Sequence, residues 1–137
     1  MGLLSTLHRG THSAGVWIEL SLRDEGISQA EASILGFLHD HPDGTINDAH
    51  HHFGHRRSTL TNVVDRLEAR ELVHRGPNPI SRRSVRLELT ETGCDVAADV
   101  SELFNWLDES VASRVTDTDL AGFERVIRAI EEVTHDR

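Results

Sequence analysis

The chain has 137 residues, 37% hydrophobic and 27% charged, which suits one domain with an apolar core. No apolar run approaches the roughly 20 residues of a membrane span, and the lone cysteine, Cys94, excludes an intrachain disulfide framework, so a cytoplasmic, reducing setting is expected. A net charge of −9 argues against nucleic acid until its distribution is read: residues 55–86 hold eight arginines against three acids, a local +5, while the rest of the chain carries −14.

Leu3, Leu4 and Leu7 are soon interrupted by His8 and Arg9, too short a run for a signal peptide. Residues 5–23 read as a helix, although Val16, Ile18, Leu20 and Leu22 alternate briefly. Ser28 and Glu31 have capping-box spacing, in which hydroxyl and carboxylate each satisfy a free backbone donor. They open a helix with the apolar stripe Ile34, Leu35, Phe37 and Leu38, ended by Pro42 and Gly44.

A short helix follows, with Ile46, Ala49 and Phe53 on one face and Gly54 as its left-handed terminus. After His55 and Arg56 a longer helix runs to about Leu72. Its inner face is Leu60, Val63, Val64 and Leu67; Ser58, Thr61, Asn62 and Asp65 face outward. Two helices joined by a short turn containing glycine read as a helix-turn-helix, whose second helix meets base edges with its N-terminal residues.

Val73-His74-Arg75 reads as a strand and Gly76-Pro77-Asn78-Pro79 as a turn, because two prolines remove two backbone donors. Ser84 to Leu89 alternates, with Val85, Leu87 and Leu89 inward and Arg86 and Glu88 outward. This hairpin, with Arg82 and Arg83 near its tip, is a wing. Thr90 then caps a helix of about 25 residues with the stripe Val96, Val100, Leu103, Leu107 and Val111. Thr116 and Asp119 open the last helix, with Leu120, Phe123, Ile127 and Ile130 on one face. The terminal helices carry more apolar surface than the small winged lobe covers, and a second copy of the chain is the simplest cover.

Thr59 to Glu68, Leu72 to Arg75 and Arg83 to Gly93 together resemble the recognition helix, wing-entry strand, and wing-return strand of the MarR family of bacterial regulators. The resemblance covers about residues 28–130. It implies a mainly α fold with a small β-hairpin wing: a winged helix-turn-helix lobe at 27–90, and dimerisation helices at 5–23 and 91–134, in a single domain spanning 1–137. Three positions depart from the family pattern: Ser81 replaces an acid that helps hold the wing, Glu71 stands where glycine commonly closes the recognition helix, and Arg56 stands where Ser or Thr commonly caps it.

The resemblance implies a homodimer that places two recognition helices in successive major grooves of double-stranded DNA, about 34–36 Å apart, on a pseudo-palindromic operator. The default regulatory outcome is repression. By their chemistry, Ser58, Thr61 and Asn62 are base-edge readers, Asn62 suiting adenine, and Thr59 belongs to the same set. Arg57 reads guanine or holds phosphate, and Arg56 and Arg66 hold phosphate. Arg66 could instead pair with neighbouring acids, and Arg86 with Glu88 or a neighbour. In the family the wing arginine enters the minor groove, which assigns Arg83 that role and Arg82 a neighbouring phosphate.

The resemblance also implies a small aromatic or phenolic effector between winged lobe and dimer helices, with Trp17, Phe37 and His12 as wall residues; Trp17 serves equally as dimer core. No cofactor and no metal are assigned. His51 and His55 could share an ion, and Cys94 near a helix N-terminus could sense redox state, so a metal- or redox-responsive regulator is one alternative. A winged helix that binds protein is another. Nucleophile elbow, metal-protease helix and phosphate-binding glycine loop are all missing from the sequence, so no enzyme is expected.

Overall fold

The computed structural model describes residues 2–78, 80 and 84–136. Their elements run α1 (Leu3–Ser21), a single 3-10 turn (Arg23–Glu25), α2 (Gln29–Asp40), α3 (Ile46–Phe53), α4 (Arg57–Ala69), β1 (Val73–Pro77), β2 (Val85–Leu89), α5 (Glu91–Ala112) and α6 (Asp117–His135). By their contacts they fall into two units, Met1–Leu103 and Phe104–Arg137.

The first unit carries the core. Ile34, Leu35 and Leu38 of α2 meet Leu60, Val63, Val64 and Leu67 of α4, with Val73, Leu87, Ala97 and Val100 beside them, all buried. Each fully buried Leu, Ile or Val contributes about 1.5–3 kcal/mol of transfer free energy. The stripes expected for α2 and α4 are therefore the faces that pack. The helix starts are fixed by side chains. Ser28 Oγ accepts from Glu31 N at 3.2 Å, but the Glu31 carboxylate turns to Arg66 and Arg70. The expected reciprocal box is thus half a box there. A full one appears at α3, where Thr45 and Asp48 exchange bonds of 3.0 Å each.

The hairpin is longer than expected. Gly76 and Pro77 pair with Arg86 and Val85, so β1 extends two residues into the predicted turn. Pro77 is tolerated at the strand's end, where its missing N–H interrupts no inner rung. The predicted inward set also needs correcting: Leu87 is fully buried but Val85 is 40% exposed, because only the half of β2 nearer α5 lies over the core. On its other edge β2 takes a short rung from the α2–α3 connection: Leu87 N donates to Gly44 O at 3.0 Å, and Thr45 bridges Arg86.

Thr90 caps α5 as expected, its Oγ1 accepting from Gly93 N at 2.9 Å. Gly93 has no room for a side chain, since a Cβ would collide with the Leu72 carbonyl. In the second unit, Thr116 and Asp119 form the expected capping box. The backbone and hydroxyl bonds from Thr116 hold the Asp119 carboxyl below its usual range. Helix α6 has no buried residue, and Phe123 on its apolar stripe is 58% exposed. Among the described residues no helix is long and apolar enough to cross a membrane.

Candidate nucleic-acid interface

Helix α4 separates its two faces cleanly. Leu60, Val63, Val64 and Leu67 point into the core, which leaves Ser58, Thr59 and Asn62 exposed and Thr61 half-exposed on the other side. Helix α3 packs against it through a turn ended by Gly54 in the left-handed conformation, φ 71°. That turn sets the angle of α3 to α4 and brings the N-terminus of α4 to the surface. Arg56 occupies the N-cap without a side-chain cap bond; its guanidinium is exposed beside the polar face.

The other arginines of this region are less free than their sequence suggests. Arg57 donates to Asn47 Oδ1 at 2.7 Å, which ties α4 to the first turn of α3. Arg66 lies 3.7 Å from Glu31, a partner on α2 rather than the expected acids of its own helix, with its side chain still 55% exposed. Arg70 reaches Glu31 at 3.4 Å and donates to the carbonyls of Glu25 and Gly26. The carboxylate of Glu31, 8% exposed, thus meets two cations, which satisfies a charge that would otherwise be costly to bury. Arg86 pairs with Asp43 at 2.6 Å and Glu88 at 3.4 Å, the strand-face pairing expected as its alternative.

Arg75 has a role that sequence reasoning missed. From β1 it reaches Asp65 at 2.5 Å and Glu68 at 3.1 Å on α4, and donates to the Thr61 carbonyl. Hydrogen bonding to Asp65 raises its guanidinium pKa above the ordinary value, with burial opposing. Both acids on this flank of α4 are thereby neutralised, so the outer face presents hydroxyls and amides without net repulsion toward phosphate. The signal in the sequence is the presence of two acids on α4 with no cation at i+4, which demands a partner from elsewhere.

Arg82 and Arg83 lie outside the described residues. Of the residues expected to line an effector pocket, Phe37 is buried in α2 and stacks on His41, with ring centroids 4.6 Å apart. It lines a cleft of about 630 Å³ with His41, Asp43, Asp48, His51 and His52. Trp17 and His12 belong to α1 and form no part of that cleft. Among the described residues, no group of three or more His, Cys, Asp or Glu side chains is placed to hold a metal ion. Cys94 is exposed.

Comparison with known proteins agrees with this geometry. A model of the MarR family matches residues 25–84. The chain is 51% identical over 37 residues to the HTH-type transcriptional repressor NicR of Pseudomonas putida, a match spanning 27% of this chain and only 23% of NicR. It is 25% identical over 123 residues to the HTH-type transcriptional regulator MhqR of Bacillus subtilis, covering 84% of this chain and 85% of MhqR. The fold matches that of Staphylococcus aureus MepR in its complex with DNA, with a TM-score of 0.81 and 18% identity over 98% of this chain and 99% of that one.

Proposed function

We propose that this chain, a MarR-family protein by its residues 25–84, is a homodimeric regulator that binds double-stranded DNA and represses from a pseudo-palindromic operator. The observation that carries this reading is α4: an apolar face wholly buried, an opposite face of short hydroxyls and one amide left for a partner. Ser58, Thr59, Thr61 and Asn62 read base edges in the major groove. Arg56, with the exposed part of Arg66, holds phosphate and sets register. Arg57 steadies α4 against α3 and is the next cation along that edge. Arg82 and Arg83 serve as the wing's contacts by family resemblance.

Dimerisation follows from the uncovered apolar side chains. Leu4 and Leu20 of α1 are 70% and 62% exposed, and Phe123 and Val133 of α6 are 58% and 71% exposed. A two-fold pairing covers such surfaces and fixes the spacing of two recognition helices. A small aromatic or phenolic effector that favours one dimer geometry is the proposed release signal. The proposed site of action is the cytoplasm.

Hydroxyl-radical footprinting on the duplex upstream of the protein's own gene tests this reading. Two protected patches about 10 base pairs apart are expected, related by the operator's two-fold symmetry. A single patch, or uniform protection, contradicts the dimeric operator.

A further inference from the structure

The arginines that make residues 55–86 basic are largely committed within the protein. Arg57 serves Asn47, Arg66 and Arg70 serve Glu31, Arg75 serves Asp65 and Glu68, and Arg86 serves Asp43 and Glu88. Among the described residues, the other groups at this edge that can carry positive charge are mostly imidazoles. His50, His51 and His52 fill the last turn of α3, and His55 lies in the turn to α4. His51, His52 and His55 are exposed, and His50 is half-buried.

The rings divide into two groups. His52 faces Phe37 at 5.3 Å and Phe53 at 4.7 Å between centroids, so it belongs to the aromatic cleft. His50 is turned the other way: its Nδ1 meets the His55 carbonyl at 2.5 Å, which fixes that ring against the α3–α4 turn. His51 lies beside it, 5.6 Å away. The exposed pair His51 and His55 therefore flanks the N-terminus of α4. When a recognition helix enters the major groove, the preceding helix crosses the sugar–phosphate backbone. That is where this pair lies.

We infer that His51 and His55 form a protonation-dependent phosphate contact beside the recognition helix, so that DNA binding tightens as pH falls through the imidazole range. The inference rests on the proposed DNA-binding reading. A neutral imidazole offers one N–H donor and no charge; an imidazolium offers two donors, a unit charge and the release of a counterion from DNA. The charged groups around the pair support this. On α3, Asp48 is committed to the Thr45 cap. After α2, Asp43 is committed to Arg86, whose strand also brings Glu88, and His41 donates toward the Phe37 carbonyl. From α4 come Arg56 and Arg57, whose repulsion toward an imidazolium is offset once a phosphate lies between them. Among the described residues of these elements, every acid facing the pair already has a partner, which leaves the imidazoles to a phosphate.

Anisotropy titration of a duplex from the region upstream of the protein's own gene, at pH 6.0 and 8.0 over a series of salt concentrations, tests this. With four such imidazoles per dimer and a slope of about 0.9 per phosphate neutralised, the log–log salt slope should steepen by about 2–4 at pH 6.0. His51→Gln with His55→Gln should abolish that difference, and each single variant should remove about half. His135→Gln, at the C-terminal end of α6, should keep it. Equal slopes for the wild type at both pH values overturn the inference, as does a double variant that keeps the wild-type difference. An absence of binding at either pH overturns the DNA-binding reading itself, and this inference with it.

Discussion

Glu71 stands at φ 59°, in the left-handed region, where α4 gives way to β1. The turn is closed by Leu72 N donating to Leu67 O at 3.0 Å, and the Glu71 carbonyl accepts from Thr90 Oγ1 at 2.7 Å. A residue with a Cβ is destabilised by about 1 kcal/mol in that conformation, and glycine is not. Glu71→Gly should therefore raise unfolding stability by about 1 kcal/mol in urea titration. An unchanged midpoint would mean that the glutamate side chain compensates for the strain. The position was legible in the sequence, because the family resemblance places glycine there. Arg75 was not legible, since its partners lie 7 and 10 residues away and meet it only when β1 folds back along α4. Arg75→Ala leaves Asp65 and Glu68 unneutralised beside the base-reading face. Their side chains are 56% and 41% exposed, so solvent screening limits the stability loss to about 1 kcal/mol. DNA affinity should fall at low salt and partly recover as salt screens the two carboxylates; a loss that is independent of salt would argue against the electrostatic role.

Among the elements, α3 depends on its cap. The helix has only eight residues and one buried side chain, Ala49, so its own packing contributes little. Thr45 satisfies an N-terminal donor of α3 while its backbone bridges Arg86 of β2. Thr45→Ala should cost about 1–2 kcal/mol in denaturant titration; a cost below about 0.3 kcal/mol would show that the strand rung alone holds the helix. Helix periodicity revealed α2, α4 and α6 because each buries or presents one continuous stripe. It was weaker at the hairpin. Two prolines in Gly76-Pro77-Asn78-Pro79 argued for a turn, yet Gly76 and Pro77 continue the ladder, because a strand end tolerates a missing donor. The cap of α3 escaped notice because Thr45 follows Asp43 and Gly44 in what reads as an ordinary loop. At Ser28 the reverse happened: the spacing of a full box was present, but Arg66 and Arg70 compete for the Glu31 carboxylate and win it.

For the whole molecule, the local charge of +5 over residues 55–86 suggested an arginine-lined DNA face. The fold commits most of the described arginines there to internal pairs and leaves Arg56, part of Arg66 and the polar face of α4 turned outward. The candidate interface was therefore legible as a location, while the division of labour among its cations was not, because ion pairing depends on contacts between α2, α4 and the hairpin. The central claim is that the outward face of α4 reads DNA sequence. Equilibrium competition between the gene's upstream duplex and a shuffled duplex of equal composition tests it most directly, with the wild type, Asn62→Ala and Arg56→Ala compared. The wild type should prefer the upstream duplex, and Asn62→Ala should narrow that preference by about 1–3 kcal/mol. Arg56→Ala should weaken binding to both duplexes alike and make the salt slope shallower by about 1 for each phosphate it no longer neutralises. Equal affinity of the wild type for the two duplexes at every salt concentration, or a preference untouched by Asn62→Ala, would contradict the claim.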